Sequence, residues 1–209
     1  MSKSKFANNL FDLFFEIEEP KKIYKMNPNN LTPQTYDASH IKHYSNFNWQ
    51  KVCTVHSSGK DNTWTYKNID KKLMYSDHRS WVYALTVDDY IVKIGETGQP
   101  LGIRKSDGDD QPRSGTKCRF GRYRSMKASP GQGEDTDDTI RSALTEETSD
   151  AKTEVAFYAY QCPEIDHKIP IVNTTVNCKS QIHKQLEKKL LDYYKDNTGT
   201  YPMLNSGRA

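Results

Sequence analysis

Hydrophobic and polar positions are unevenly ordered along this chain. Across residues 1–76 the periodicity is weak. Asn8 to Glu19 predicts one or two helical turns, and Met26 to Tyr36 is crowded with Pro and Asn. Trp49 to Val55 and Thr63 to Tyr66 alternate as short strands do. No repeat and no catalytic motif falls here. Residues 1–76 are therefore expected to be an N-terminal extension that completes the fold or supplies a surface for DNA contact or oligomerisation. Order sharpens at Trp81. Trp81 to Val87 is rich in β-branched and aromatic residues, Asp88-Asp89 signals a turn, and Tyr90 to Gly95 reads as a second strand, which together predict a β-hairpin.

Gly98, Pro100, Gly102, Gly108, Pro112 and Gly115 then punctuate a long loop, and a short basic helix is expected from Lys117 to Lys127. After a polar loop, Asp135, Thr136 or Asp137 is placed to cap a helix running to Glu147. Glu154 to Gln161 alternates as a third strand. Ile165 to Cys178 predicts a small insertion with one more extended segment, and Ser180 to Lys195 a last helix ending near Asn197-Thr198-Gly199. The order β-β-α-α-β-α predicts an α+β domain over residues 77–209, with a small antiparallel or mixed three-stranded sheet flanked by helices.

Composition narrows the class. With 209 residues of which 34% are hydrophobic, the chain can build one modest core. Nothing approaches the ~20 apolar residues that cross a bilayer, and Phe11 to Ile17 is broken by Asp12 and Glu16, unlike a leader segment. No membrane partner is expected. Cys53, Cys118, Cys162 and Cys178 are far apart and match no zinc spacing, which predicts free thiols in a reducing, cytoplasmic setting.

The net charge of +3 permits a nucleic-acid partner without demanding one. Its distribution says more. Between Gly98 and Lys127, Arg104, Lys105, Arg113, Lys117, Arg119, Arg122, Arg124 and Lys127 face only Asp107, Asp109 and Asp110, and Phe120 and Tyr123 interleave them. Such a stripe neutralises phosphates and stacks on bases or sugars, although a solvated basic face has the same composition. On a helix, Arg119 and Tyr123 share a face at i, i+4, with Arg122 beside them.

Two further positions carry chemistry. Tyr83 and Lys93 lie ten residues apart across the predicted turn, so adjacent strands can bring them together. A lysine beside a phenol favours the phenolate and would make Tyr83 a usable base for a water nucleophile. A lysine stem covering an aromatic ring fits the same pair. On the last helix, Ile182, Leu186, Leu190 and Tyr193 form an apolar stripe that Leu191 and Tyr194 widen. Glu187 falls on its border and not among the lysines. A carboxylate there needs a partner, either a hard metal ion or His183 or Lys184 along the helix.

These residues, in this order, resemble the GIY-YIG nuclease superfamily. Trp81-Val82-Tyr83 stands where that family has its first triplet and Lys93-Ile94-Gly95 where it has its second. Arg119 and Tyr123 match the arginine and following aromatic of its first helix, Glu187 its metal-binding glutamate, and Asn205 the polar residue after that helix. Ile140 to Leu144, Phe157 to Cys162 and Pro202 to Asn205 are similar to segments of the endonuclease II branch of T-even phages, whose members degrade host DNA. Lysine at position 93 is similar to type II restriction members. Only Tyr83, Ile94 and Gly95 of the two name-giving triplets are kept. Arg104, eleven residues after Lys93, sits at the spacing some relatives use for their arginine, so it stands as the alternative to Arg119.

The resemblance implies hydrolysis of double-stranded DNA with one Mg²⁺, or Mn²⁺ in its place, held by Glu187. It also implies that Arg119 stabilises the transition state and that Tyr83, assisted by Lys93, acts as base with Tyr123 orienting water or phosphate. Gly95, Arg104, Lys105, Lys117, Arg122, Arg124, Lys127 and Asn205 are then expected to contact DNA. One site per chain leads to the expectation of a homodimer or higher homo-oligomer. The competing readings are a structure-specific repair or homing endonuclease, and a non-catalytic nucleic-acid-binding protein.

Overall fold

The chain divides into two units, Met1–Thr35 and Tyr36–Ala209. A computed structural model describes residues 37–58, 64–105, 110–125, 140, 153–171 and 174–208, all within the second unit. The helices expected at Asn8 to Glu19 and after Asp135 lie outside the described residues, apart from Ile140, which is helical and buried in the core.

The protein is an α+β fold. Its main sheet has five strands, not the three expected, and every pairing in it is antiparallel. The strands are β1 (Gln50–Ser57), β2 (Trp64–Lys67), β3 (Trp81–Val87), β4 (Tyr90–Thr97) and β5 (Val155–Gln161), in spatial order β2-β1-β5-β3-β4. The two additional strands come from residues 50–67. β1 pairs with β5 through matches such as Cys53 with Phe157, and β2 pairs with β1. A separate two-stranded sheet, β6 (Glu164–Ile171) with β7 (Thr174–Gln181), fills the stretch where one extended segment was expected. Ser180 accordingly ends a strand and does not open the last helix.

β3 is buried at every position from Trp81 to Thr86, which explains why its residues run apolar without alternation: both faces are covered. The β3–β4 turn has the chemistry the sequence announced. Asp88 and Asp89 adopt φ of 50° and 66°, the left-handed pair that a two-residue hairpin needs. The Asp88 carboxylate accepts from the Glu154 amide at 2.7 Å, and Tyr158 donates to Asp89 at 2.8 Å, fastening the turn to the start of β5.

Three described helices position the site. The single turn α1 (Lys71–Met74) is capped by the Asp70 carboxylate and buries Met74. The basic helix α2 (Arg119–Ser125) covers the sheet face that carries Tyr83, Leu85 and Phe157. The long helix α3 (His183–Thr198) packs against β3 and β4 and stops at Gly199, whose φ of 81° gives the left-handed cap. Its buried residues are His183, Leu186, Glu187, Leu190, Leu191 and Tyr194, while Tyr193 is exposed. A 3-10 segment, Ile41–Phe47, stacks Tyr44 on Tyr194 and Phe47 against Tyr160.

Two carboxamides fasten the outermost strands. Gln111 accepts from the Tyr66 amide at 2.9 Å and donates to the Tyr66 carbonyl at 2.6 Å. Asn205 does the same for Ile94, at 2.9 and 2.8 Å.

Candidate active site

Tyr83 points from β3 toward α2. Its hydroxyl meets that of Tyr123 at 2.7 Å, and the two rings meet edge to face with centroids 6.3 Å apart. Register explains how the phenol reaches there. Tyr83 pairs with Gly95, and a Cβ built on Gly95 would lie 2.4 Å from both Cζ and Oη of Tyr83. The ring therefore occupies the space above the glycine. Sequence reasoning assigned that room to approaching DNA, whereas the Tyr83 phenol fills it.

Lys93 pairs with Leu85, one step diagonal from Tyr83, because the strands shift register between Leu85 and Thr86. Its ammonium stands 5.8 Å from the centre of the Tyr123 ring. The cation over Tyr83 is Arg119, with its guanidinium carbon 5.5 Å from the ring centre. Burial pushes the Tyr83 phenol above its ordinary value. The Arg119 charge and the hydrogen bond from Tyr123 oppose that rise, and the Glu187 and Glu96 carboxylates add to it. Tyr123 is raised well above the ordinary value, first by burial and then by Tyr83.

Arg119 reaches the rim of the sheet. Its Nη2 donates to the Glu96 carbonyl at 2.6 Å, a group that faces outward from β4. Its Nε is buried and meets no hydrogen-bond partner among the described residues. The start of α2 is anchored from the preceding loop, since the amides of Arg119 and Phe120 donate to the carbonyls of Pro100 and Leu101 at 3.0 and 2.8 Å. Tyr66 on β2 donates to the Phe120 carbonyl at 3.1 Å and stacks on its ring. A residue of the N-terminal stretch thus helps to seat the arginine helix.

Glu187 is 5% exposed, and its charge bears on both Tyr83 and Arg119. Of the two intrahelical partners expected for it, His183 and Lys184, His183 turns elsewhere. His183 Nε2 lies 3.1 Å from Glu96 Oε2, and its Nδ1 lies 3.0 Å from Ser80 Oγ. The sequence did not point to Ser80 or Glu96, and it assigned His183 to Glu187 and not to these two. Glu96 follows Gly95 directly, and His183 stands one turn before Glu187, so position relative to the chosen residues was the available signal.

The remaining expected DNA contacts scatter. Arg104 is exposed and its guanidinium covers Tyr75, 5.0 Å from the ring centre, away from the phenol pair. Lys117 is exposed, Lys105 and Arg122 are half-buried, Arg124 lies on α2, and Lys127 falls outside the described residues. Asn205 is buried, and both polar ends of its amide are taken by Ile94. Among the described residues no group of three or more His, Cys, Asp or Glu side chains is arranged so that it could hold a metal ion, and no helix is long and apolar enough to cross a membrane.

No family model matches this chain, and no curated protein matches it either. The solved structures similar to it include two nucleases. One is a mutant of bacteriophage T4 EndoII, at 15% identity and a TM-score of 0.47, covering 74% of this chain and 93% of that one. The other is the restriction endonuclease HPY188I in complex with product DNA, at 18% identity and a TM-score of 0.40, covering 88% of this chain and 96% of that one.

Proposed function

We propose that this chain is a metal-dependent DNA endonuclease that hydrolyses phosphodiester bonds, of the restriction or phage host-DNA-degrading kind. One observation carries the reading: Arg119 on α2 stands over the Tyr83–Tyr123 phenol pair, and the buried Glu187 carboxylate on α3 bears electrostatically on both Tyr83 and Arg119. A guanidinium with a donor unpartnered among the described residues, a phenol whose anion that cation favours, and a buried carboxylate are the parts that phosphodiester hydrolysis needs. Nucleic-acid binding alone needs no carboxylate among them.

The roles follow from the chemistry. Arg119, half-buried, offers its guanidinium to a non-bridging phosphate oxygen and balances the charge that builds there during attack. Tyr83 accepts a proton from the attacking water, with Arg119 across its face and the Tyr123 hydroxyl stabilising the phenolate. Glu187 would hold one Mg²⁺, for which Mn²⁺ can substitute. Mg²⁺ keeps most of its waters and takes one or two carboxylates plus phosphate oxygens, so a single buried glutamate whose Oε1 meets no hydrogen-bond partner among the described residues fits it. When bound, the ion supplies positive charge at the scissile phosphate and the departing 3′ oxygen. Lys105, Lys117 and Arg122 contribute phosphate contacts that strengthen binding more than sequence choice. One site per chain cuts one strand, so double-strand cleavage calls for a homodimer or two successive visits.

The test is supercoiled plasmid with Mg²⁺. Arg119→Ala and Glu187→Ala are each expected to lower cleavage by roughly 100-fold or more, while Arg104→Ala weakens binding only. Cleavage at the unsubstituted rate by either of the first two would remove that residue's role. Loss of activity in Arg104→Ala alone would move the arginine's role to the loop.

A further inference from the structure

Ser80, His183 and Glu96 form a chain of polar contacts, in which Ser80 is hydrogen-bonded to His183 and His183 pairs with the Glu96 carboxylate. Ser80 and His183 are 0% and 1% exposed, and come from the residue before β3 and the first residue of α3. The proton positions follow from the partners. A carboxylate only accepts, so His183 Nε2 carries the hydrogen toward Glu96 at 3.1 Å, and Nδ1 accepts from the Ser80 hydroxyl at 3.0 Å. Burial lowers the His183 pKa, in keeping with this neutral tautomer. The residue types are those of a hydrolytic triad, but Ser80 is sealed from solvent and cannot meet a substrate. The chain therefore delivers its order to the other end, the partly exposed Glu96 carboxylate.

Glu96 passes that order on. Its carbonyl takes the Arg119 Nη2 hydrogen at 2.6 Å, and its side-chain charge favours the charged guanidinium. From these contacts we infer that the Ser80–His183–Glu96 chain is a positioning device for Arg119, through which helix α3 fixes the guanidinium at the rim of β4. The inference rests on the nuclease reading above and deepens it. His183 and Ser80 act only through Glu96, and Glu96 through Arg119. The device explains why an imidazole is buried where an apolar side chain would pack more cheaply.

The test uses the full chain and supercoiled plasmid with Mg²⁺. His183→Leu and Glu96→Gln are expected to lower kcat by roughly 10-fold to 100-fold with KM for DNA little changed. His183→Gln, which keeps a donor toward Glu96, recovers most of the loss. Combined with Arg119→Ala, His183→Leu costs nothing further in residual activity. Unchanged kcat in Glu96→Gln, or a full additive loss in the double variant, overturns the inference. A second readout does not depend on cleavage: hydrogen exchange at Arg119 Nε, followed by nitrogen-15 NMR, quickens in His183→Leu and Glu96→Gln. If the unsubstituted chain cleaves no DNA, the nuclease reading fails by itself, and unaltered exchange in Glu96→Gln would then sink the positioning link as well.

Discussion

Asn205 and Arg119 hold alternate residues of one strand edge. The Asn205 carboxamide closes on Ile94, and the Arg119 guanidinium takes the Glu96 carbonyl two residues further along β4. Alternate residues of a strand direct their backbone groups to the same side, so both side chains act on one rim. Asn205 fixes the strand, and the carbonyl that receives Arg119 is fixed with it. The Arg119 guanidinium therefore depends for its aim on the Asn205 carboxamide.

Asn205→Asp is expected to destabilise the fold by about 1–3 kcal/mol at neutral pH. One carboxylate oxygen still accepts from the Ile94 amide, while the other faces the Ile94 carbonyl. Protonation restores a donor, so the new carboxyl has a raised folded-state pKa. Its penalty is smallest at acid pH and grows as pH rises through the carboxyl range. Urea unfolding of the two proteins at several pH values measures this; a penalty independent of pH would rule out the carbonyl clash.

Gly95→Ala is expected to cost activity more than stability. The new methyl must displace the Tyr83 ring, which breaks the contact with Tyr123 and shifts the phenol from Arg119. Overpacking of this kind costs about 1–3 kcal/mol, and misplacement of the phenol roughly 100-fold in rate. Kinetics together with urea unfolding would show it. Wild-type rates in a folded variant would mean that the ring's position does not matter.

Tyr66→Phe removes the hydrogen bond to the Phe120 carbonyl and leaves the ring stacking in place. A loss of about 1 kcal/mol is expected, with the amides of α2 exchanging faster than those of α3. Equal protection of both helices would show that β2 does not seat the arginine helix.

The rate of cleavage should climb with pH through the alkaline range. The Tyr83 pKa is raised, so the phenolate that the proposed role requires becomes populated only above the ordinary phenol value of ~10. A kcat profile that levels off near neutrality would assign the base to another group.

Folding stability should move the opposite way. Burial pushes the Cys162 thiol and the Tyr158 phenol up to about 12, and raises Tyr83 and Tyr123 as well. Each proton is held more tightly in the folded chain. The stability this supplies is complete below the ordinary thiol and phenol values, ~8.5 and ~10, and is lost as pH rises through the folded-state values. Unfolding midpoints that stay constant from about pH 8 to about pH 11 would contradict it.

What the sequence made legible was local. The β3–β4 hairpin could be read because its strands are rich in β-branched and aromatic residues and its turn is Asp88-Asp89. Arg119 and Tyr123 could be paired because four residues of helix put them on one face. The membership of β1 and β2 in the main sheet could not be read, since Cys53 meets Phe157 from over a hundred positions away. The same holds for Ser80 with His183 and for Asn205 with Ile94. Lys93 was correctly placed on the second strand. Its partner there is Leu85 because of a register shift that no local pattern announces.

The carboxamides of Gln111 and Asn205 also bear on how copies of this chain can meet. An outer strand ordinarily offers its free amides and carbonyls to any extended peptide, which is how sheets of separate molecules fuse and fibrils grow. At Tyr66 and at Ile94 those groups are already taken, one on each outermost strand. A second molecule finds no ribbon to lengthen at either place. If copies of this chain pair, the joining surface lies away from these two positions of the main sheet.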